Sequence, residues 1–320
     1  MDDPKTDYAI FRSDLYGTTA EPTYAGVTSF MRRKYSRDFE GVDVAVTGVP
    51  LDTATTNRPG ARFGPRSIRA ASSIMAWERP YAMEFDPFDR LAVVDAGDCH
   101  FDFGRPETVP AAIEAHARAI IEQGPGLLSL GGDHFVAYPL LKAHAAVHGR
   151  PLSLLHFDAH SDTWEDEEGR IDHGTMFYHA VQEGLVDPAT SVQVGLRTTN
   201  PDTLGFTILD APWVHAQGVD AAVSEIRGRV AERPVYLSFD IDCLDPAYAP
   251  GTGTPVCGGL SSHQAMSILR GLAGINLVGM DVVEVAPQYD VAEITSLAAA
   301  HLAMEMLYLF ACRPAPSGKG

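Results

Sequence analysis

Short, nearly unbroken apolar runs recur along the chain, each separated from the next by a longer stretch with apolar positions at helical spacing. The short runs lie at residues 42–49, 91–95, 126–130, 152–157, 191–196, 206–209, 235–239 and 276–281. Continuous apolar runs of this length suit strands buried on both faces. The longer stretches predict helices at about 65–77, 107–123, 135–148, 219–231, 261–272 and 292–312. Strand and helix alternate throughout, which predicts an α/β fold with a mostly parallel sheet covered by helices on both faces and right-handed crossovers. Residues 1–40 carry no clear period and read as an irregular arm, and 313–320 read as a frayed tail. No repeat or linker divides the rest, so 1–320 reads as a single domain.

The ends of three of these runs carry chemistry. Asp158, His160 and Asp162 follow Phe157 at a spacing of two, which in an extended chain puts them on one face. S-F-D-I-D-C-L-D repeats the design with Asp240 and Asp242, and L-L-S-L-G-G-D-H delivers Asp133 and His134 past two glycines. The carboxyl ends of parallel strands share one edge, so the three ends are expected in one site. A D-x-H-x-D segment alone is common by chance, and it is the conjunction that carries weight. His134, Asp158, His160, Asp162, Asp240 and Asp242 form an oxygen-rich set that suits hard octahedral ions such as Mn²⁺ and suffices for two. Four carboxylates would neutralise two dications and leave a bridging water able to ionise near neutral pH. Asp133 and Asp245 lie out of phase and read as hydrogen-bonding supports, and Cys243 as a small buried hydrophobe.

Composition narrows the partners. Lys and Arg total 24 against 42 Asp and Glu, a net charge of -18. Such a chain repels nucleic acid and anionic membrane surfaces and draws a cationic small molecule. The four cysteines form no C-x-x-C pair and the N-terminus has no signal-peptide pattern, so a cytoplasmic protein is expected. His301 and Glu305 interrupt the apolar run 294–311, which reads as a buried helix rather than a membrane span.

G-G-D-H, H-F-D-A-H-S-D-T, I-D-H-G-T-M-F, S-F-D-I-D-C-L-D-P-A-Y-A-P-G-T-G-T-P and G-M-D-V-V-E-V-A-P-Q-Y-D resemble the ureohydrolase (arginase/agmatinase) family, most closely its bacterial agmatinase members, over about residues 42–312. The resemblance implies a three-layer α/β/α arginase-type fold with an eight-stranded sheet, a homotrimer or homohexamer, and a dinuclear manganese hydrolase releasing an amine and urea from guanidino compounds. It assigns one metal to His134, Asp158, Asp162 and Asp240. The other falls to His160, Asp158, Asp240 and Asp242. His173, in D-H-G-T, matches the family's proton-shuttling histidine, and Glu284, in V-V-E-V-A-P, the carboxylate that grips the guanidinium. Guanidinium is a poor electrophile, so catalysis needs a hydroxide, an orienting carboxylate and an acid for the departing amine. The expected route is attack by a metal-bridging hydroxide, with Asp162 relaying its proton to the leaving nitrogen.

Agmatine, yielding putrescine for polyamine biosynthesis, is the expected substrate. The acidic run Glu165–Glu168 is either a solvated loop or an anionic rim for agmatine's far ammonium. Asn57, Arg58 and Arg62 are either structural or a carboxylate receptor, as 4-guanidinobutyrate would require. Two other classes stay in view. A non-enzymatic binding protein that kept the fold predicts erosion of the ligand set, and none of these residues is missing. A two-metal phosphoesterase needs basic groups near the site, where the chain is acidic.

Overall fold

The computed structural model describes residues 6–18, 20–77, 79–149, 151–166, 170 and 172–314. Its nine strands are β1 (Lys34–Tyr35), β2 (Val44–Val49), β3 (Val93–Asp98), β4 (Gly126–Gly131), β5 (Ser153–Phe157), β6 (Val192–Val194), β7 (Thr207–Leu209), β8 (Val235–Asp240) and β9 (Leu277–Val283). They form one sheet in the order β1-β3-β2-β4-β9-β8-β5-β6-β7, and every neighbouring pair is parallel.

All eight expected strands are present. The ninth, β1, comes from the arm expected to be irregular. Two residues, paired as Lys34 with Val94 and Tyr35 with Asp95, are too few to display a period. Polar contacts organise the arm instead. The buried Arg32 guanidinium lies beside Glu21 and donates to the carbonyls of Ala25 (2.5 Å) and Val27 (3.0 Å). A short helix, Tyr8–Phe11, precedes it. Within the tail, residues 315–320 lie outside the described residues.

Alternation along each strand feeds two separate cores. Val44, Val46, Leu128, Leu155, Phe157, Leu237, Phe239, Met280 and Val282 pack on one face with the helices Gly64–Ser72, Val219–Val230, Ser262–Gly271 and Ile294–Ala311. Ala45, Leu127, Leu154, Tyr236 and Val283 pack on the other with Val109–Ile121, Ala137–His148 and Met176–Gln182. These two apolar cores make the three layers. The helix Ile294–Ala311 is long and apolar enough to cross a membrane, yet 72% of it is buried within this fold, as its His301 and Glu305 implied.

One close approach sets the exit of β4. A Cβ on Gly132 would stand 2.2 Å from the Leu51 carbonyl oxygen and 2.5 Å from that of Val49, main-chain atoms with no room to retreat. Gly132→Ala is therefore expected to cost about 1–3 kcal/mol, the range for forced overpacking, and to lower Tm by several degrees. An unchanged thermal midpoint would mean that the turn relaxes freely around the added methyl.

Candidate active site

β4, β9, β8 and β5 are consecutive neighbours in the sheet, and their carboxyl ends deliver His134, Glu284, the Asp240–Asp242 pair and the Asp158–Asp162 segment to one rim. The ligand-bearing segments do not stay extended as the spacing of two suggested. Asp158 Oδ1 accepts the His160 N–H at 2.6 Å, and Asp162 takes a left-handed backbone with φ 53°. Asp240 Oδ1 accepts the Asp242 N–H at 2.7 Å as the chain enters the turn Ile241–Cys243. Past the last ladder partner a backbone N–H needs an acceptor, and the aspartate carboxylate is the nearest one. The expected extended comb is thus two carboxylate-capped turns, and the same six groups still converge.

His134 Nδ1 lies 3.0 Å from Asp158 Oδ2, 3.0 Å from Asp162 Oδ2 and 3.3 Å from Asp240 Oδ2. His160 Nδ1 lies 3.3 Å from Asp158 Oδ1 and 3.2 Å from Asp242 Oδ2. Asp158 therefore presents one oxygen to each half of the cluster. Ser238 Oγ donates to Asp281 Oδ1 at 2.7 Å, and Asp281 Oδ2 takes the Tyr236 hydroxyl proton at 2.6 Å. With its proton given to Asp281, Ser238 Oγ accepts from His134 Nε2 at 2.8 Å. Nδ1 is then left as a buried lone pair with no hydrogen-bond partner among the described residues, facing three carboxylate oxygens. That arrangement is repulsive unless a cation sits there, and oxygen-rich donors with two imidazoles fit hard divalent ions.

The electrostatics of the bare cluster agree. Burial, then the charges of Asp242 and Asp158, pushes Asp240 well above the usual carboxylate range, and burial with Asp158 raises Asp162 and Asp242. Against the opposing effect of burial, hydrogen bonds to Asp158 and Asp242 hold His160 up to about 12, and the adjacent carboxylates of Asp158, Asp162 and Asp240 keep His134 raised. Protons and metal ions thus compete for one set of atoms.

Stability follows from the signs. Raised imidazoles stabilise the metal-free fold fully below about pH 6.5, and raised carboxyls do so below about pH 4, each contribution waning as pH climbs toward the folded value. Asp158, lowered through the histidines around it although burial opposes, is already ionised in that window. Tm of chelator-treated protein is therefore expected to fall from pH 5 to pH 8. Added divalent cation should restore it at pH 8 with release of protons, seen as buffer-dependent heat in calorimetry. A Tm that climbs over the same window without metal would contradict this cluster.

Glu284 also takes a left-handed backbone, φ 64°, an uncommon state for a side chain with a Cβ. It aims the carboxylate into the site. Oε1 accepts the His134 N–H (2.8 Å) and His173 Nδ1–H (3.0 Å), and buried Oε2 has no partner among the described residues. His173 Nε2 takes the Thr56 N–H at 3.1 Å and lies 2.8 Å from the Thr56 hydroxyl. Although burial opposes it, Glu284 pulls His173 up to about 9. The Thr56 N–H aimed at Nε2 works against a proton there, so the hydrogen bonds fit the neutral ring carrying its proton on Nδ1.

A cavity of about 370 Å³ opens over this cluster. Asp162 and Asp240 line it as buried groups, and Trp164, half exposed, lines it with Glu165 and Asp172 toward solvent. Arg170 also lines it, with its guanidinium against Asp166. Of the acidic run, Glu167 and Glu168 lie outside the described residues. In the loop after β2, Arg62 pairs with Asp52, Asn57 donates to the Gly253 carbonyl (2.9 Å), and the Arg58 guanidinium stands 5.1 Å from the Tyr289 ring centroid. Asp133 Oδ2 takes the Ala54 N–H, a support beside His134 as expected. Asp245 instead gathers the N–H groups of Ala247, Gly258 and Gly259 in its own loop. Cys243 is fully buried with Sγ near the Val194 carbonyl.

Sequence reasoning missed a row beneath the ligands. Gln193, His156, Ser238, Asp281 and Ser129 stand in register across β6, β5, β8, β9 and β4. The signal was present as single polar residues inside buried apolar strands, two positions before Asp158 and Asp240.

Residues 42–308 match the arginase family. The chain is 60% identical over 304 residues to an agmatinase of Chromobacterium violaceum, covering 95% of this chain and 94% of that one. It is 55% identical over 268 residues to an agmatinase of Neisseria meningitidis, covering 83% and 87%. The crystal structure of a hypothetical agmatinase from Burkholderia thailandensis superposes with a TM-score of 0.94 at 59% identity, covering 96% of this chain and 98% of that one. Proclavaminate amidino hydrolase from Streptomyces clavuligerus gives 0.86 at 39% identity, with 91% and 99% covered.

Proposed function

Because the chain belongs to the arginase family, we propose that it hydrolyses agmatine to putrescine and urea at a dinuclear manganese centre. The observation that carries this reading is the convergence of six ligand groups in two halves, with Asp158, Asp162 and Asp240 facing the bare His134 Nδ1 and Asp158 and Asp242 facing His160 Nδ1. One ion would be held by His134, Asp158, Asp162 and Asp240, the other by His160, Asp158, Asp240 and Asp242. When bound, the pair would supply Lewis-acid activation of water for attack on the guanidinium carbon near neutral pH, and the oxygen-rich donor set supports manganese.

The chain's own side chains do the rest. Glu284 Oε2, buried without a donor, receives the guanidinium N–H groups and fixes the plane of the cation. Asp162, a cage carboxylate on the cavity, carries a proton to the departing nitrogen. His173 exchanges protons with solvent through the hydroxyl of exposed Thr56.

Agmatine as substrate is supported by the names of relatives at 52–60% identity and by the cavity's outer wall. Glu165 and Asp172 offer carboxylates to the far ammonium and Trp164 an aromatic face. A guanidino acid needs a cation for its carboxylate. Arg62 is engaged by Asp52, but Arg58 is exposed over Tyr289, and with the likeness to an amidino hydrolase this supports a second reading, a 4-guanidinobutyrate amidinohydrolase. The four unbridged cysteines support a cytoplasmic setting, and exposed Tyr24, Ile74 and Trp77 support a homotrimer or homohexamer.

Urea release from agmatine, 4-guanidinobutyrate, 3-guanidinopropionate and arginine, assayed in parallel on Mn²⁺-loaded protein, tests this. Agmatine is expected to have the highest kcat/KM. Asp172→Asn should raise its KM by up to about fivefold, the scale of a solvent-exposed ion pair, while kcat holds. Faster turnover of 4-guanidinobutyrate selects the second reading, and no urea from any compound leaves a binding protein.

A further inference from the structure

We infer that His156, braced by Gln193, is a positioning residue that aims Asp158 Oδ2 into the His134 half of the metal centre. The inference rests on the dinuclear reading above. His156 is wholly buried in β5, two residues before Asp158, with Nε2 2.8 Å from Asp158 Oδ2. Its ring packs edge-on against Phe177, with centroids 4.6 Å apart. Gln193, in register beside it on β6, has its amide nitrogen 2.6 Å from the Ser161 carbonyl oxygen and 2.9 Å from His156 Nδ1. An amide NH₂ carries two protons. One goes to the Ser161 carbonyl and the other to Nδ1, so Nδ1 accepts and the ring's single proton sits on Nε2, donated to Asp158.

This fixes what His156 is not. It stands close enough to His134, Asp158 and Asp162 to be grouped with them as a metal-holding set. Both its nitrogens are nonetheless committed, one to Gln193 and one to Asp158. It acts through Asp158 and not as a ligand.

The two oxygens of Asp158 are held by different donors. Oδ1 takes the His160 N–H at 2.6 Å and faces the half that contains His160 and Asp242. Oδ2 takes the His156 Nε2–H and faces His134. Losing the imidazole donor removes a charge-assisted bond from Oδ2 alone, since the backbone donor to Oδ1 stays in place. The consequence is one-sided: the His134 half loosens and the His160 half keeps its support.

Titration of the metal-free full-length protein with Mn²⁺ by calorimetry, alongside Tm of each metal-free form, tests this. Wild type is expected to take up two ions. His156→Phe keeps one at wild-type affinity and weakens the other about 10- to 100-fold, the usual scale for loss of a group supporting a ligand. His156→Gln, whose amide can place an N–H near the former Nε2, restores the second. Gln193→Leu gives the same one-sided loss in smaller degree and serves should His156→Phe fail to fold. A folded His156→Phe or Gln193→Leu protein that binds both ions as wild type does overturns the inference. So does equal weakening of both ions with no rescue by His156→Gln, which would make the ring simple packing. A wild-type protein that takes up no pair of ions overturns the dinuclear reading itself.

Discussion

Asp158→Asn abolishes tight metal uptake and urea production together. Asp158 is the group with one oxygen in each half of the cluster, Oδ2 at 3.0 Å from His134 Nδ1 and Oδ1 at 3.3 Å from His160 Nδ1. An amide keeps the shape but removes the negative charge shared by both halves. It also forces an NH₂ toward either the His160 N–H or the His156 Nε2–H, donor against donor. A bridging ligand matters more than the groups behind it, whose loss already costs 10- to 100-fold in affinity, so a drop of more than about 100-fold is expected. Metal content after desalting, set beside the urea assay, checks this. Two retained ions with normal turnover would remove Asp158 from the centre.

Glu284→Gln is expected to spare the metal and cripple turnover. The substitution leaves the six cage residues untouched and keeps an oxygen able to accept the His134 N–H. What disappears is a buried negative charge whose Oε2 has no other partner among the described residues. Breaking a buried ion pair by neutralising one side costs about 3–5 kcal/mol, so kcat/KM for agmatine should fall roughly 100- to 4,000-fold. The metal stoichiometry should stay at the wild-type value. An unaltered kcat/KM would show that another group orients the guanidinium.

Much of this site was legible in the chain because its chemistry sits where a local pattern breaks. A buried strand is apolar by necessity, so Asp158, His160, Asp162, Asp240 and Asp242 stood out as charges abutting runs that are otherwise mostly apolar. The same contrast marked all eight longer strands. What escaped was whatever depends on contacts between distant segments. The turn geometry of Asp162 and Asp240 depends on which N–H lacks a ladder partner, and β1 exists only because β3 offers it an edge. His156 and Ser238 read as incidental polar residues until register set them beside Gln193 and Asp281. Arg62 read as either structural or a carboxylate receptor, and its pairing with Asp52, ten residues upstream, is the contact that favours the first.

The order of strands in the sheet also dictates a timetable. β9, last to be synthesised, occupies the middle, flanked by β4 on one side and β8 on the other. Until it emerges from the ribosome, a growing polypeptide holds two partial sheets, β1-β3-β2-β4 and β8-β5-β6-β7, each with a raw edge where the missing strand belongs. His134 sits on one fragment, and the aspartates with His160 on the other. Such separated pairings make folding slow and leave sticky borders open meanwhile. Ion capture is therefore expected to wait until β9 has joined the two halves, and a product cut before β9 is expected to lack an assembled centre.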